Sequence, residues 1–199
     1  MNEPNSTYEE QLARDVGGFA FDPLGFVRYA FPWGEGVLAE RGFEDWQREE
    51  LEVIGEELKA GVSVSDAAAK AIRRAVASGH GIGKSAFVAW VILWAMSTMP
   101  DTRAVVTANT EAQLKNKTWA ELAKWHRLCL CGHWFDCTAT ALISKLPGHE
   151  KTWRCDMVPW NEQKPEAFAG LHNQGKRILL VFDEASAVAD SIWEVAEGA

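Results

Sequence analysis

A chain of 199 residues with 47% hydrophobic content can bury one substantial core, which favours a single domain or one domain with a small appendage. Its 28 acidic side chains against 20 basic ones leave a net charge of −8, which excludes phosphate-backbone affinity spread over the whole surface and confines any nucleic-acid contact to a local patch or an assembly. The longest apolar stretch, running from Ala86 to Met96, is too short for a bilayer, and no signal peptide is read ahead of the cysteines, so no membrane role and a reduced, cytoplasmic setting (that of the host cell if viral) are expected.

In chain order, residues 1–40 read as an N-terminal arm, with a frayed polar start and an irregular aromatic-, Gly- and Pro-rich segment over 19–33. Residues 44–60 place Trp46, Leu51, Val53, Ile54 and Leu58 among charges at near-helical spacing, and Gly61 follows as a stop, which predicts an amphipathic helix. An alanine-rich helical turn is expected over 65–70. A short strand over 72–77 is expected next, leading into a glycine-rich loop. Lys84–Thr98 reads as an apolar helix, 103–108 as a β-branched strand, and 110–130 as a long helix opened by a capping residue. Two strand-like runs, 135–144 and 152–158, flank the turn signal Leu146-Pro147-Gly148-His149 and predict an antiparallel hairpin. The run 177–182 is continuously apolar, the pattern of a strand buried on both faces of a parallel sheet, and a short helix over 189–196 closes the chain.

The residues Ser78-Gly79-His80-Gly81-Ile82-Gly83-Lys84-Ser85 carry the chemistry. Three glycines let backbone N–H groups converge on phosphate oxygens where a Cβ would block them. The helix that starts at Lys84 offers unsatisfied N–H groups and a partial positive charge to the same phosphates. Lys84 can reach the β- and γ-phosphates, and the Ser85 hydroxyl can ligate Mg²⁺. Ser78 stands where this phosphate-loop pattern, the Walker A motif, normally has its first glycine. Downstream, the strand ending in Phe182 delivers Asp183-Glu184, a Walker B pattern: Asp183 to hold the metal, Glu184 to polarise a lytic water as general base. ATP and Mg²⁺ are therefore the expected cofactors. The expected fold is an α/β P-loop NTPase, with a mainly parallel central sheet flanked by helices and an antiparallel hairpin insertion.

Taken together, Trp46-Gln47 ahead of the loop, the loop itself, Val105-Val106-Thr107-Ala108, Ala167-Phe168-Ala169-Gly170-Leu171-His172 and Phe182-Asp183-Glu184-Ala185-Ser186 resemble, in their order, the ATPase domain of phage large terminase subunits. The resemblance covers roughly residues 40 to 199. It implies a P-loop ATPase core over 41–199 and a motor that hydrolyses ATP to drive double-stranded DNA translocation. It also implies assembly as a ring homo-oligomer with a portal and a small terminase subunit as partners. In that family the residues matching Trp46 and Gln47 serve the adenine pocket, a role that suits an amide with donors and an acceptor. His80 departs from the arginine many terminases carry inside the loop, which leaves the charge-stabilising residue unassigned. Because family members continue with a coupling strand and a nuclease domain, the chain is expected to be C-terminally truncated, without nuclease activity. A helicase-like DNA-dependent ATPase and a truncated nucleotide-binding assembly module with little turnover are the alternatives.

Other clusters carry less. His126, Cys129, Cys131, His133 and Cys137 have poor spacing for zinc. Trp90 and Trp94, four apart on an apolar helix, read as core, whereas Trp119 and Trp125 are the more exposed candidates for stacking on single-stranded nucleic acid. Lys70, Arg73 and Arg74 form a small basic run whose usual meaning is a solvated face.

Overall fold

The computed structural model describes residues 3–62, 71–77, 81–108, 110–159, 176–183, 185 and 188. The expected turn over 65–70, the 167–172 motif and the closing helix over 189–196 lie outside them.

The organising element is helix α4, Lys84–Thr98, whose side chains from Ala89 to Thr98 are all buried. A helix that is apolar all round needs cover on every side, and it gets a sheet on one side and helices on the others. Helix α1 (Glu3–Gly17) brings Leu12 and Val16 to this core, α2 (Pro23–Ala30) brings Leu24, Phe26 and Val27, and α3 (Asp45–Val62) brings Leu51. The 19–33 segment is thus not the irregular stretch its aromatic and glycine content suggested. Asp22 accepts a hydrogen bond from the Gly25 N–H and Pro23 occupies the first turn, which together start α2. Gly55 on α3 leaves room for the entry to α2, since a Cβ there would lie 3.2 Å from the Phe21 carbonyl oxygen.

Strand β1 (Arg103–Thr107) follows α4, and the next helix begins at Thr110, whose hydroxyl accepts from the Gln113 N–H as expected of a cap. That helix runs as α5 (Glu111–Gln113), a π-helical stretch (Leu114–Trp119) and α6 (Ala120–Leu128). Strands β2 (Phe135–Cys137), β3 (Ala141–Ser144), β4 (Arg154–Met157) and β5 (Ile178–Phe182) complete one five-stranded sheet in the order β2-β3-β4-β1-β5.

The sheet is mixed rather than mainly parallel. β1 runs parallel to β4 and β5, while β2–β3 and β3–β4 are antiparallel. The turn at 146–149 joins an antiparallel pair as expected. However, the run 135–144 folds back on itself at Thr138, whose hydroxyl accepts the Ala141 N–H. The hairpin is therefore no insertion but a three-strand meander that extends the main sheet. The strand expected over 72–77 does not join the sheet. A central parallel strand must be apolar on both faces, and Arg74 instead pairs with Glu50 (2.9 Å) and Glu57 (3.3 Å) on α3. β5 is half-buried rather than buried along its length, with β1 as its partner among the described strands.

One sheet face is apolar: Ala104, Val106, Cys155, Met157, Leu179 and Val181 lie side by side in register and pack in or against the core with α4. The other carries Arg103 and Arg154 on Asp156. At the far side of α4, Trp33, Phe43, Trp90 and Trp125 interlock, with Trp90 and Trp125 edge to face at 5.0 Å. Each such pair contributes about 0.5–1.5 kcal/mol beyond the area it buries. Arg177, just ahead of β5, donates to the Ala20 carbonyl (2.6 Å) and the Thr98 hydroxyl (2.8 Å), with its guanidinium over the Trp94 ring at 4.2 Å. Burial lowers its pKa to about 10. Among the described residues no helix is long and apolar enough to cross a membrane.

Candidate functional site

Gly81 and Gly83 both take left-handed backbone conformations, with φ of 82° and 83°. Residues with a Cβ adopt such angles only at a cost, so the sequence bends here because glycine allows it. Gly83 is the N-cap of α4 and has no side chain to cap it, so the positive end of a 15-residue helix dipole faces the bend, the kind of helix start that suits an anion. Lys84 and Ser85 occupy that first turn. Ser78, Gly79 and His80 lie outside the described residues.

Helix α3 sets the bend from behind. The Trp46 indole N–H donates to the Ile82 carbonyl at 3.1 Å, and the Gln47 amide donates to the Gly83 carbonyl at 3.0 Å. Gln47 is 2% exposed, and its amide oxygen accepts from the Glu44 N–H at 2.9 Å. Both ends of the amide thus serve the chain's own backbone, and a base edge would have to share it through the further lone pair and N–H that an amide carries. Trp46 also packs on Phe87 at 5.3 Å and lines an open cleft of about 370 Å³ beside the bend, together with Glu49, Glu50, Ala75, Val76, Ala77 and Ile82.

Asp183 reaches the same region from the sheet. The chain reverses between α4 and β1, where Thr102 bonds the Ala95 and Met99 carbonyls, so the start of α4 lies toward the C-terminal ends of β1 and β5. Asp183 continues β5 there, its N–H bonded to the Thr107 carbonyl at 2.8 Å. Leu179 and Val181 face the core, and strand alternation turns Asp183 to that same face. The Thr118 hydroxyl confirms this orientation by donating to Asp183 Oδ2 from the π-helical stretch. The structure thus ties Trp46 and the buried Gln47 to the Gly81-Ile82-Gly83 bend that runs into Lys84 and Ser85, with Asp183 at the same end and on the same face of the sheet. Glu184 lies outside the described residues. Thr118 escaped the sequence reading, because nothing local in Lys117-Thr118-Trp119 signals a contact so distant in the chain.

The donor chemistry suits Mg²⁺. Ser85 and Asp183 offer hard oxygens, and an ion that keeps water and phosphate ligands needs only one or two from the protein. No group of three or more His, Cys, Asp or Glu that could hold a metal occurs among the described residues. The Cys/His cluster is engaged otherwise: His126 Nε2 lies 2.8 Å from the Gly132 carbonyl, His133 pairs with Glu9, and the Cys129 and Cys131 sulfurs sit 3.5 Å apart in the core. Cys129 is pushed up, first by its hydrogen bond to Cys131 and then by burial. Trp119 and Trp125 are no stacking surface, being 5% and 3% exposed, with their N–H groups bonded to the Thr138 carbonyl and the Glu121 carboxylate. Trp90 and Trp94 are core, as their spacing indicated.

The class these features define is an α/β protein with a five-stranded mixed sheet and flanking helices. Comparison with family models, with curated proteins and with solved structures finds no match.

Proposed function

We propose that the chain is an ATP-hydrolysing domain of the kind that drives double-stranded DNA translocation in viral packaging terminases. One observation carries the reading: the glycine-bent, uncapped start of α4, bearing Lys84 and Ser85, shares an end and a face of the sheet with Asp183. The backbone of the bend would cradle the triphosphate, with Lys84 set against charge on the γ-phosphoryl group. Ser85 and Asp183 would hold Mg²⁺, which would supply charge neutralisation on the triphosphate. Glu184 would orient water for in-line attack, and Trp46 would offer its ring at the base end beside Gln47. Duplex DNA, a ring of subunits, and portal and small-subunit partners come with the terminase resemblance, as does the motor output.

The test is ATP turnover measured beside nucleotide binding for wild type, Lys84→Ala and Glu184→Gln. Lys84→Ala is expected to weaken ATP binding. Glu184→Gln should retain ATP and lose turnover by about 10²–10⁴-fold, the range of a positioned general base. Wild-type protein that binds no ATP would end the proposal. Binding without turnover would make it an assembly module, and DNA-stimulated strand separation would make it helicase-like.

A further inference from the structure

The π-helical stretch Leu114–Trp119 interrupts the helix that follows β1, and such wide turns concentrate at functional sites. Its geometric effect is visible in two consecutive side chains. Thr118 is 1% exposed and Trp119 is 5% exposed, so neighbours in sequence both turn inward. Trp119 donates to the Thr138 carbonyl in the β2–β3 turn, while Thr118 donates to Asp183 Oδ2 beyond β5. A buried hydroxyl needs a partner. An ionised carboxylate only accepts, so the Thr118 proton is committed to Asp183.

We infer that Thr118 is the positioning residue for Asp183: it holds Oδ2 on the protein side, which would leave Oδ1 as the oxygen for Mg²⁺. The inference rests on the reading that Asp183 serves the metal. Partners of this outer kind orient a ligating group, and their loss costs about 10–100-fold in metal affinity. Thr118 touches neither metal nor nucleotide in this arrangement, so its loss is read in metal affinity and not in metal-free nucleotide binding.

The probe is Mn²⁺ binding in the presence of ADP, followed by electron paramagnetic resonance, for wild type, Thr118→Val, Thr118→Ser and Asp183→Asn. ADP affinity in EDTA and thermal melts are recorded alongside. Thr118→Val is close in shape and lacks only the hydroxyl; it is expected to weaken Mn²⁺ about 10-fold or more with ADP affinity in EDTA unchanged. Thr118→Ser keeps the donor and should bind Mn²⁺ like wild type. If Thr118→Val proves unfolded in the melt, Thr118→Ala gives the same comparison against Thr118→Ser. Loss of Mn²⁺ affinity in Asp183→Asn but not in the hydroxyl-free variant overturns the inference and leaves the reading of Asp183 intact. Wild-type Mn²⁺ affinity in Asp183→Asn overturns both.

Discussion

The two ends of α4 are held by different physics. Its last turns set Trp94 and Met96 among Trp153 and strands β1 and β4, with every side chain from Ala89 to Thr98 buried. Its first turn is half-exposed and held by hydrogen bonds from Trp46 and Gln47 to the Ile82 and Gly83 carbonyls of the glycine bend. Apolar packing is summed over many contacts and is costly to remove at any one residue. The bend depends on a few directional bonds and on two residues lacking a Cβ. The contrast teaches that stability and ligand affinity should respond to different substitutions along one helix.

The buried region gives the largest stability effect. Trp90→Ala removes the ring that meets Trp33, Phe43 and Trp125, and is expected to cost about 3–5 kcal/mol, which lowers Tm by roughly 10 °C or more. A melt within a degree or two of wild type would erase the contrast from the core side. Gly83→Ala acts at the other end. Its φ of 83° costs about 1–2 kcal/mol with a Cβ, and that Cβ would stand 2.6 Å from the Gln47 amide nitrogen. Nucleotide affinity, by titration, should therefore fall more than Tm does; an equal loss in both would show that the bend is merely structural.

The smallest effect sharpens the comparison from a third place, the turn between α4 and β1. Asp101 there accepts from His149 and Thr152, and these hydrogen bonds, His149 first, hold its carboxyl below the usual range. A carboxyl with a depressed folded pKa contributes stability that is present above its unfolded pKa and lost as pH falls through the folded one. Melts of wild type and Asp101→Asn should therefore differ at neutral pH and converge under acid conditions, below the ordinary aspartate range. Nucleotide affinity should be the same in both, since the pair sits at the opposite end of the sheet from the glycine bend.

Much of this was legible in the sequence. Helical spacing of apolar residues located α3, the long apolar run located α4, Thr110 marked the start of the helix after β1, and Pro147-Gly148 marked the turn between β3 and β4. The glycine spacing also indicated a bend at the head of α4, and both glycines carry positive φ there. Some misses had readable signals. Asp22-Pro23 is a helix start, and Leu114, Leu122 and Trp125 fall on one buried stripe that should have placed Trp125 in the core. Other misses were beyond local reading. Arg74 is drawn to Glu50 and Glu57 on α3 by tertiary pairing, and 135–144 splits into two strands at Thr138, whose backbone N–H and hydroxyl both bond Ala141. At the site, residue types indicated the glycine bend before Lys84 and the place of Asp183 after β5, but Gln47 acting as a brace and Thr118 bonding Asp183 are products of the folded arrangement.

Arg177 shows what a shared joint does to cooperativity. One planar guanidinium serves the Ala20 carbonyl, the last turn of α4 and the Trp94 ring while it sits at the entry to β5. A lysine, with a single ammonium in place of a fork, could not span those partners together. Opening of the turn between α1 and α2 and release of β5, which leads to Asp183, are therefore expected to be coupled, so that amide protons on both sides of the joint exchange with solvent at a common free energy.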